Sequence, residues 1–216
     1  MRRFGCLAVP VLLVFLFTGC GQAVPKTIEE STLVIFKDGR LTAYLVGEFD
    51  KSYYDLTELT AMAQDEATEF GGTKDTAPVK MESVEPAQDG SSRVVVTYTF
   101  DSAGSYEDFI EDTLFYGTVE EALVKGYGSN VTLQNVKDDS LLTGRELSQE
   151  QERHLIVFCP KQTKTPKVGE EKHLVISCPE KVEFLSGGAV LNQDGTVDVS
   201  WTEENALTPV YILMKK

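Results

Sequence analysis

Two segments repeat a histidine and a cysteine at one spacing, His154-x4-Cys159 and His173-x4-Cys178. Two imidazoles and two thiolates are a donor set for tetrahedral zinc. The spacing works against that use. Each pair brackets an apolar run that reads as a strand, where positions five apart face opposite sides and lie roughly 16 Å apart. One metal cannot readily collect both ends of either segment. The same thiols are candidates for a Cys159–Cys178 disulfide, which an exported protein can keep. That bridge is out of reach if the two strands form an antiparallel hairpin, and within reach if they lie parallel or in different layers. The other reading is two small reduced core side chains, since Cys159 shares strand parity with Leu155 and Val157, and Cys178 with Leu174 and Ile176.

Carboxylates form the next candidate group. Glu107, Asp108, Glu111 and Asp112 cluster beside Tyr106. Paired acids can do acid–base work or bind cations, and on a short helix they more often form a solvated face. Asn192-x-Asp194-Gly195-x-x-Asp198 carries part of a calcium-loop pattern, but Val190 and Trp201 stand where such a loop needs acids, so a hairpin turn is expected. The only two histidines fall in predicted strands, and the chain has no Gly-x-Ser-x-Gly elbow, no glycine-rich phosphate loop and no HExxH. No catalytic residue, metal ligand or cofactor is therefore assigned, and the chain is expected not to be an enzyme. Tyr53, Tyr54, Tyr98, Phe100, Tyr106, Phe109, Phe115 and Tyr116 concentrate in the N-terminal half. Some could line a groove for sugar or peptide; most should be core.

The elements that must position these residues read as α+β. Ser31–Phe36 and Leu41–Phe49 flank a tight Lys37-Asp38-Gly39-Arg40 turn. Ser52 to Asp55 resembles a capping box, followed by a helix to Phe70 that Gly71-Gly72 stops. Val79–Val84 and Arg93–Phe100 make a second hairpin around Asp89-Gly90. Ser105–Phe115 reads as a short helix, and Thr118-Val119-Glu120-Glu121 caps another that ends at Gly126. Strands follow at Val131–Val136, His154–Cys159, His173–Cys178, Lys181–Leu185, Ala189–Asn192, Thr196–Trp201 and Val210–Met214. The expectation is an antiparallel sheet of hairpins with one longer and two short helices packed on it, as a single domain over residues 31–216 with a β-rich lobe from about residue 150.

The first twenty residues read as an address. Met1-Arg2-Arg3 is a positive n-region, and Leu7–Phe17 is an uncharged apolar stretch interrupted by Pro10, too short for the roughly twenty helical residues a bilayer needs. Leu16-Phe17-Thr18-Gly19-Cys20 resembles the lipobox of bacterial lipoproteins. That resemblance implies cleavage of residues 1–19 by signal peptidase II, diacylglycerol on the Cys20 thiol, and a linker over residues 20–30. Phe17 stands where the family usually has Leu. Cys6 would leave with the signal.

Losing Arg2 and Arg3 leaves 18 basic against 34 acidic residues, taking the net charge from -14 to -16. Such a chain does not attract phosphate backbones, so nucleic acid is not an expected partner. Anionic headgroups would repel it too, leaving the lipid to hold it at the extracytoplasmic face of the cell membrane.

Lys37-Asp38-Gly39, Phe49 with Tyr53-Tyr54, Glu58-Leu59, Tyr106-Glu107-Asp108-Phe109, Phe115 with Gly117-Thr118, and Glu121-Ala122 together resemble a family of uncharacterised lipoproteins of anaerobic Gram-positive bacteria, over residues 31 to 213. The resemblance implies a Gram-positive membrane and lends no activity or catalytic residue. The expected function is a lipid-anchored, non-enzymatic binding or scaffolding module of the cell envelope, with an unknown envelope protein or ligand as partner. The competing expectation is an envelope hydrolase acting through paired carboxylates.

Overall fold

A computed structural model describes residues 27–71 and 77–216. The proposed lipidation position Cys20 and the signal expected before it lie outside the described residues. Strands β1 (Thr32–Ile35) and β2 (Leu41–Glu48) flank the expected turn, where Gly39 takes φ +87° and Phe36 N–H donates to the Arg40 carbonyl at 2.8 Å. Helix α1 (Leu56–Gly71) starts on Asp55, whose Oδ1 accepts the N–H groups of Thr57 and Glu58 at 2.8 and 3.0 Å. The cap is thus Asp55 rather than a box opened by Ser52. A hairpin of β3 (Val79–Pro86) and β4 (Arg93–Phe100) follows.

The middle of the chain alternates short helices and strands: α2 (Ala103–Ile110), β5 (Thr113–Thr118), α3 (Val119–Val124), β6 (Thr132–Asn135), β7 (Leu141–Thr143) and α4 (Gly144–Leu147). Thr118 and Glu121 close a reciprocal capping box on α3. The last part supplies β8 (His154–Cys159), β9 (Lys172–Ser177), β10 (Val182–Leu185), β11 (Ala189–Leu191), β12 (Val197–Trp201) and β13 (Val210–Met214).

These strands fall into two sheets, ordered β11-β12-β9-β1-β2-β4-β3 and β5-β8-β13-β10-β6-β7. The pairings are antiparallel apart from β1 with β9, where Thr32 stands beside Val175. The sheets pack on one another through a shared core. Leu33, Ala43, Tyr98, Phe100 and Ile176 come from the first sheet, and Leu114, Ile156, Phe158 and Ile212 from the second. A second core lies on the other face of the six-stranded sheet, where Leu155, Val157 and Leu213 meet Val119, Ala122 and Leu147 from α3 and α4. Strand β8 therefore feeds both cores with alternate residues, which is why it reads as an unbroken apolar run. Each such side chain, buried from water, contributes about 1.5–3 kcal/mol.

The α+β character expected from the sequence is what the fold has, with the strands divided between two sheets. The chain after residue 150 makes no lobe of its own, because β8, β10 and β13 join the six-stranded sheet while β9, β11 and β12 join β1. Thr113–Phe115, read as helix, is strand. Glu111 adopts φ +66° and its N–H caps the Glu107 carbonyl, so α2 stops before reaching them.

Candidate binding groove

The C-terminal end of β2 and the N-terminal end of β4 pair with one another and bring Leu45, Gly47, Val94 and Val96 beside residues of α1. The loop from Phe49 to Asp55 folds over this ground, and α1 adds Leu59 and Met62. The result is an open, mainly apolar groove of about 560 Å3. Its wall is an aromatic stack, with Phe49 and Tyr54 rings 5.1 Å apart and Tyr53 edge-on to Tyr54 at 5.0 Å. Tyr53 is 75% exposed and Met62 63% exposed. Met62 stands about 100° around the helix from Ala63, and of this stretch only Ala63 and Ala67 are buried. At Gly47 an added Cβ would meet nothing within 4 Å, so the groove floor is open. Glu48, Asp55 and Glu58 form the rim, and among the described residues no basic side chain lines it.

The aromatic residues grouped by sequence separate in space. Tyr98, Phe100 and Tyr106 are buried in the shared core with Phe109 packed against it, Phe115 is buried in the second core, and Tyr53 and Tyr54 are open. Of the eight aromatics named from the sequence, some of which could line a groove, Tyr53 and Tyr54 line this one. Gly47 and Met62 were not legible, because neither a missing side chain nor an exposed methionine on an amphipathic helix leaves a local signal.

The acidic cluster also divides. Asp112 is buried: its Oδ2 lies 2.6 Å from Lys164 Nζ and 3.3 Å from the Tyr106 hydroxyl, and its Oδ1 accepts the Lys161 N–H at 2.9 Å. Glu111 pairs with Lys161 at 2.5 Å, and that bond holds its carboxyl below the usual range. Glu107 faces elsewhere, into a second cavity of about 670 Å3 that also takes Asp38, Asp101, Glu120 and Glu121. Two of these acids are held ionised. The Arg40 guanidinium lowers Asp38, and the N–H and hydroxyl of Thr118 lower Glu121. Neither keeps a proton to donate near neutrality.

The His–Cys repeats are brought to different sheets. His154 Nδ1 lies 3.2 Å from Glu180 Oε2 and His173 Nδ1 lies 3.0 Å from Asp198 Oδ2. Cys159 and Cys178 are free thiols here, in keeping with the reading of two reduced side chains. Cys178 sits in the shared core, where burial pushes its thiol up to about 12; Cys159 is half-buried at the end of β8. Asn192 to Asp198 forms the β11–β12 turn, with Asp194 Oδ1 accepting from the Thr196 N–H at 3.0 Å and its hydroxyl at 2.7 Å.

The chain matches no family model, and neither the curated proteins nor the solved structures gave a match.

Proposed function

We propose that this chain is a lipid-anchored, extracytoplasmic, non-enzymatic binding module of the cell envelope, held to the membrane by acyl chains on Cys20. The supporting observation is the open groove of Phe49, Tyr53, Tyr54 and Met62, a ready-made surface for an apolar or ring-stacking partner. Most of an aromatic side chain's binding worth comes from removing it from water, and Tyr53 has that removal still to gain.

An envelope hydrolase using paired carboxylates is the competing proposal, and the acidic cavity is its place. Glycoside chemistry of that kind needs one carboxyl that stays protonated near neutrality. Asp38 and Glu121, held below their usual range, favour the binding reading.

The test is capture of the lipidated protein from its own membrane after mild cross-linking, with mass spectrometry of the proteins, lipids and wall fragments that accompany it. A companion lost on Tyr53→Ala with Tyr54→Ala supports the groove. Turnover of an envelope substrate by the purified chain, abolished by Glu107→Gln, would overturn the non-enzymatic reading.

A further inference from the structure

The first described residues run along one end of the seven-stranded sheet. Ser31 Oγ accepts the Val46 N–H at 3.0 Å, and the Glu29 carbonyl accepts from Arg93 Nη1 at 2.7 Å. Arg93 stands directly across from Glu48 in the β2–β4 register. Glu48 and Phe49 are themselves part of the groove. The groove and the incoming chain thus share one end of the molecule.

The opposite end carries the Lys37–Arg40 turn and the acidic cavity, which includes Asp38, Gly39 and the 85% exposed Val124. Strand β2 separates the two ends, about 23 Å at a rise of about 3.3 Å per residue. Between Cys20 and Thr27 there are only the residues Gly21–Lys26. Even fully extended, that stretch covers no more than about 25 Å. With Cys20 acylated, the short tether ends beside the groove and keeps that end nearest the bilayer.

The side chains at this end suit a membrane boundary. Tyrosine places an apolar ring among acyl chains and its hydroxyl among headgroups. Tyr53, Tyr54 and Met62 are the exposed large side chains around the groove, and Leu45, Val94 and Val96 lie behind them. The acidic rim of Glu48, Asp55 and Glu58 selects against anionic headgroups and leaves neutral or zwitterionic ones.

We propose that the groove docks on the leaflet that carries its own anchor, with Tyr53, Tyr54 and Met62 entering the boundary between headgroups and hydrocarbon. This names the groove's partner as bilayer lipid and rests on the reading of Cys20 as acylated. Docking orients the domain: the acidic cavity at the far end of β2 points away from the membrane.

The fluorescence of an introduced tryptophan tests this. The one native tryptophan, Trp201, is 8% exposed and provides a constant background in the unsubstituted chain. The lipidated chain carrying Tyr53→Trp is placed on phosphatidylcholine vesicles whose acyl chains are brominated near the headgroup. Emission from position 53 should shift to the blue and fall at least about twofold relative to unbrominated vesicles. Val124→Trp, at the far end, should be unaffected. Met62→Trp carries the same expectation as Tyr53→Trp and stands in if that variant folds poorly. If the chain floats with the vesicles and positions 53 and 62 are quenched no more than position 124, the docking is wrong and the anchor stands. A chain that does not float with the vesicles overturns the anchor, and the docking with it.

Discussion

Lys164 Nζ lies 2.6 Å from the Oδ2 of Asp112, a carboxylate only 3% exposed. The pair fastens the β8–β9 connection to the α2–β5 junction, and the Lys161 N–H adds a second bond to the same carboxylate. Burial and the neighbouring charge of Asp112 hold the Tyr106 phenol well above its usual range, so it stays a neutral donor to that carboxylate. Asp112→Ala would leave the Lys161 N–H, the Tyr106 hydroxyl and the Lys164 ammonium short of a partner. Because Lys164 keeps partial access to water, the expected loss is about 2–3 kcal/mol in urea unfolding. Lys164→Ala should cost less. A loss under about 1 kcal/mol for Asp112→Ala would show that the junction does not depend on this clip.

Two glycines make an opposed pair. A Cβ on Gly144 would stand 2.5 Å from the Ser129 carbonyl oxygen and 2.6 Å from that of Gly128, both backbone atoms. Gly144→Ala should cost about 1–3 kcal/mol or more, as overpacking against unyielding backbone does. A Cβ on Gly47 meets nothing, so Gly47→Ala should change stability by no more than about 0.5 kcal/mol. Gly47→Leu should raise the groove floor and weaken whatever the groove binds, with the melting temperature nearly unchanged. Equal melting losses at positions 47 and 144 would contradict this geometry.

The Cys178 thiol, pushed up to about 12 by burial, sets a dependence on alkaline pH. Below the ordinary thiol range, folded and unfolded chains both hold this proton. Above about pH 8.5 the unfolded chain releases it and the folded chain does not, so stability falls as pH rises, by up to about 1.4 kcal/mol per pH unit for this group. Burial also moves Tyr98 and Tyr116 up to about 12, in the same destabilising direction at still higher pH. Urea unfolding at pH 8 and pH 10 should show a smaller decline in Cys178→Ala than in the unsubstituted chain. An identical decline in both would place the thiol in contact with solvent.

Cys20→Ser should move the protein from the membrane fraction to the soluble extracytoplasmic fraction with its fold intact. The mass of the membrane-bound form should correspond to a chain beginning at residue 20 plus acyl groups. A Cys20→Ser chain still found in the membrane would remove the anchor from the proposed function.

Local signals in the sequence carried most elements but few of their partnerships. The twin runs His154–Cys159 and His173–Cys178 were legible as strands, because apolar side chains fill them between turn residues. Their separation into two sheets was not legible, because it depends on β9 finding β1 and β8 finding β5 and β13. The Thr118–Glu121 capping box was legible because side chain and backbone lie within one turn. The left-handed Glu111 was not, since a glutamate gives no warning of a positive φ, and the helix was read through into β5. In the groove, Tyr53 and Tyr54 stood out as adjacent aromatics, whereas the ground beneath them depends on β2 pairing with β4, about fifty residues further along the chain.

The parallel pairing of β1 with β9 also governs the order in which the fold can form. Thr32 pairs with Val175 on one side and Tyr44 on the other, so β1 is the single strand joining β2-β4-β3 to β9-β12-β11. Contacts so distant along the chain make for slow folding, because the loop must close before the contact rewards it. Synthesis from the N-terminus presents β1 long before β9 is available. During that interval β1 has a hairpin partner on one edge and an open edge on the other, the kind of edge that recruits stray strands. The stretch from β9 onward is therefore what ends the vulnerable period, and a version truncated before residue 172 would emerge with its central strand permanently unpaired on one side.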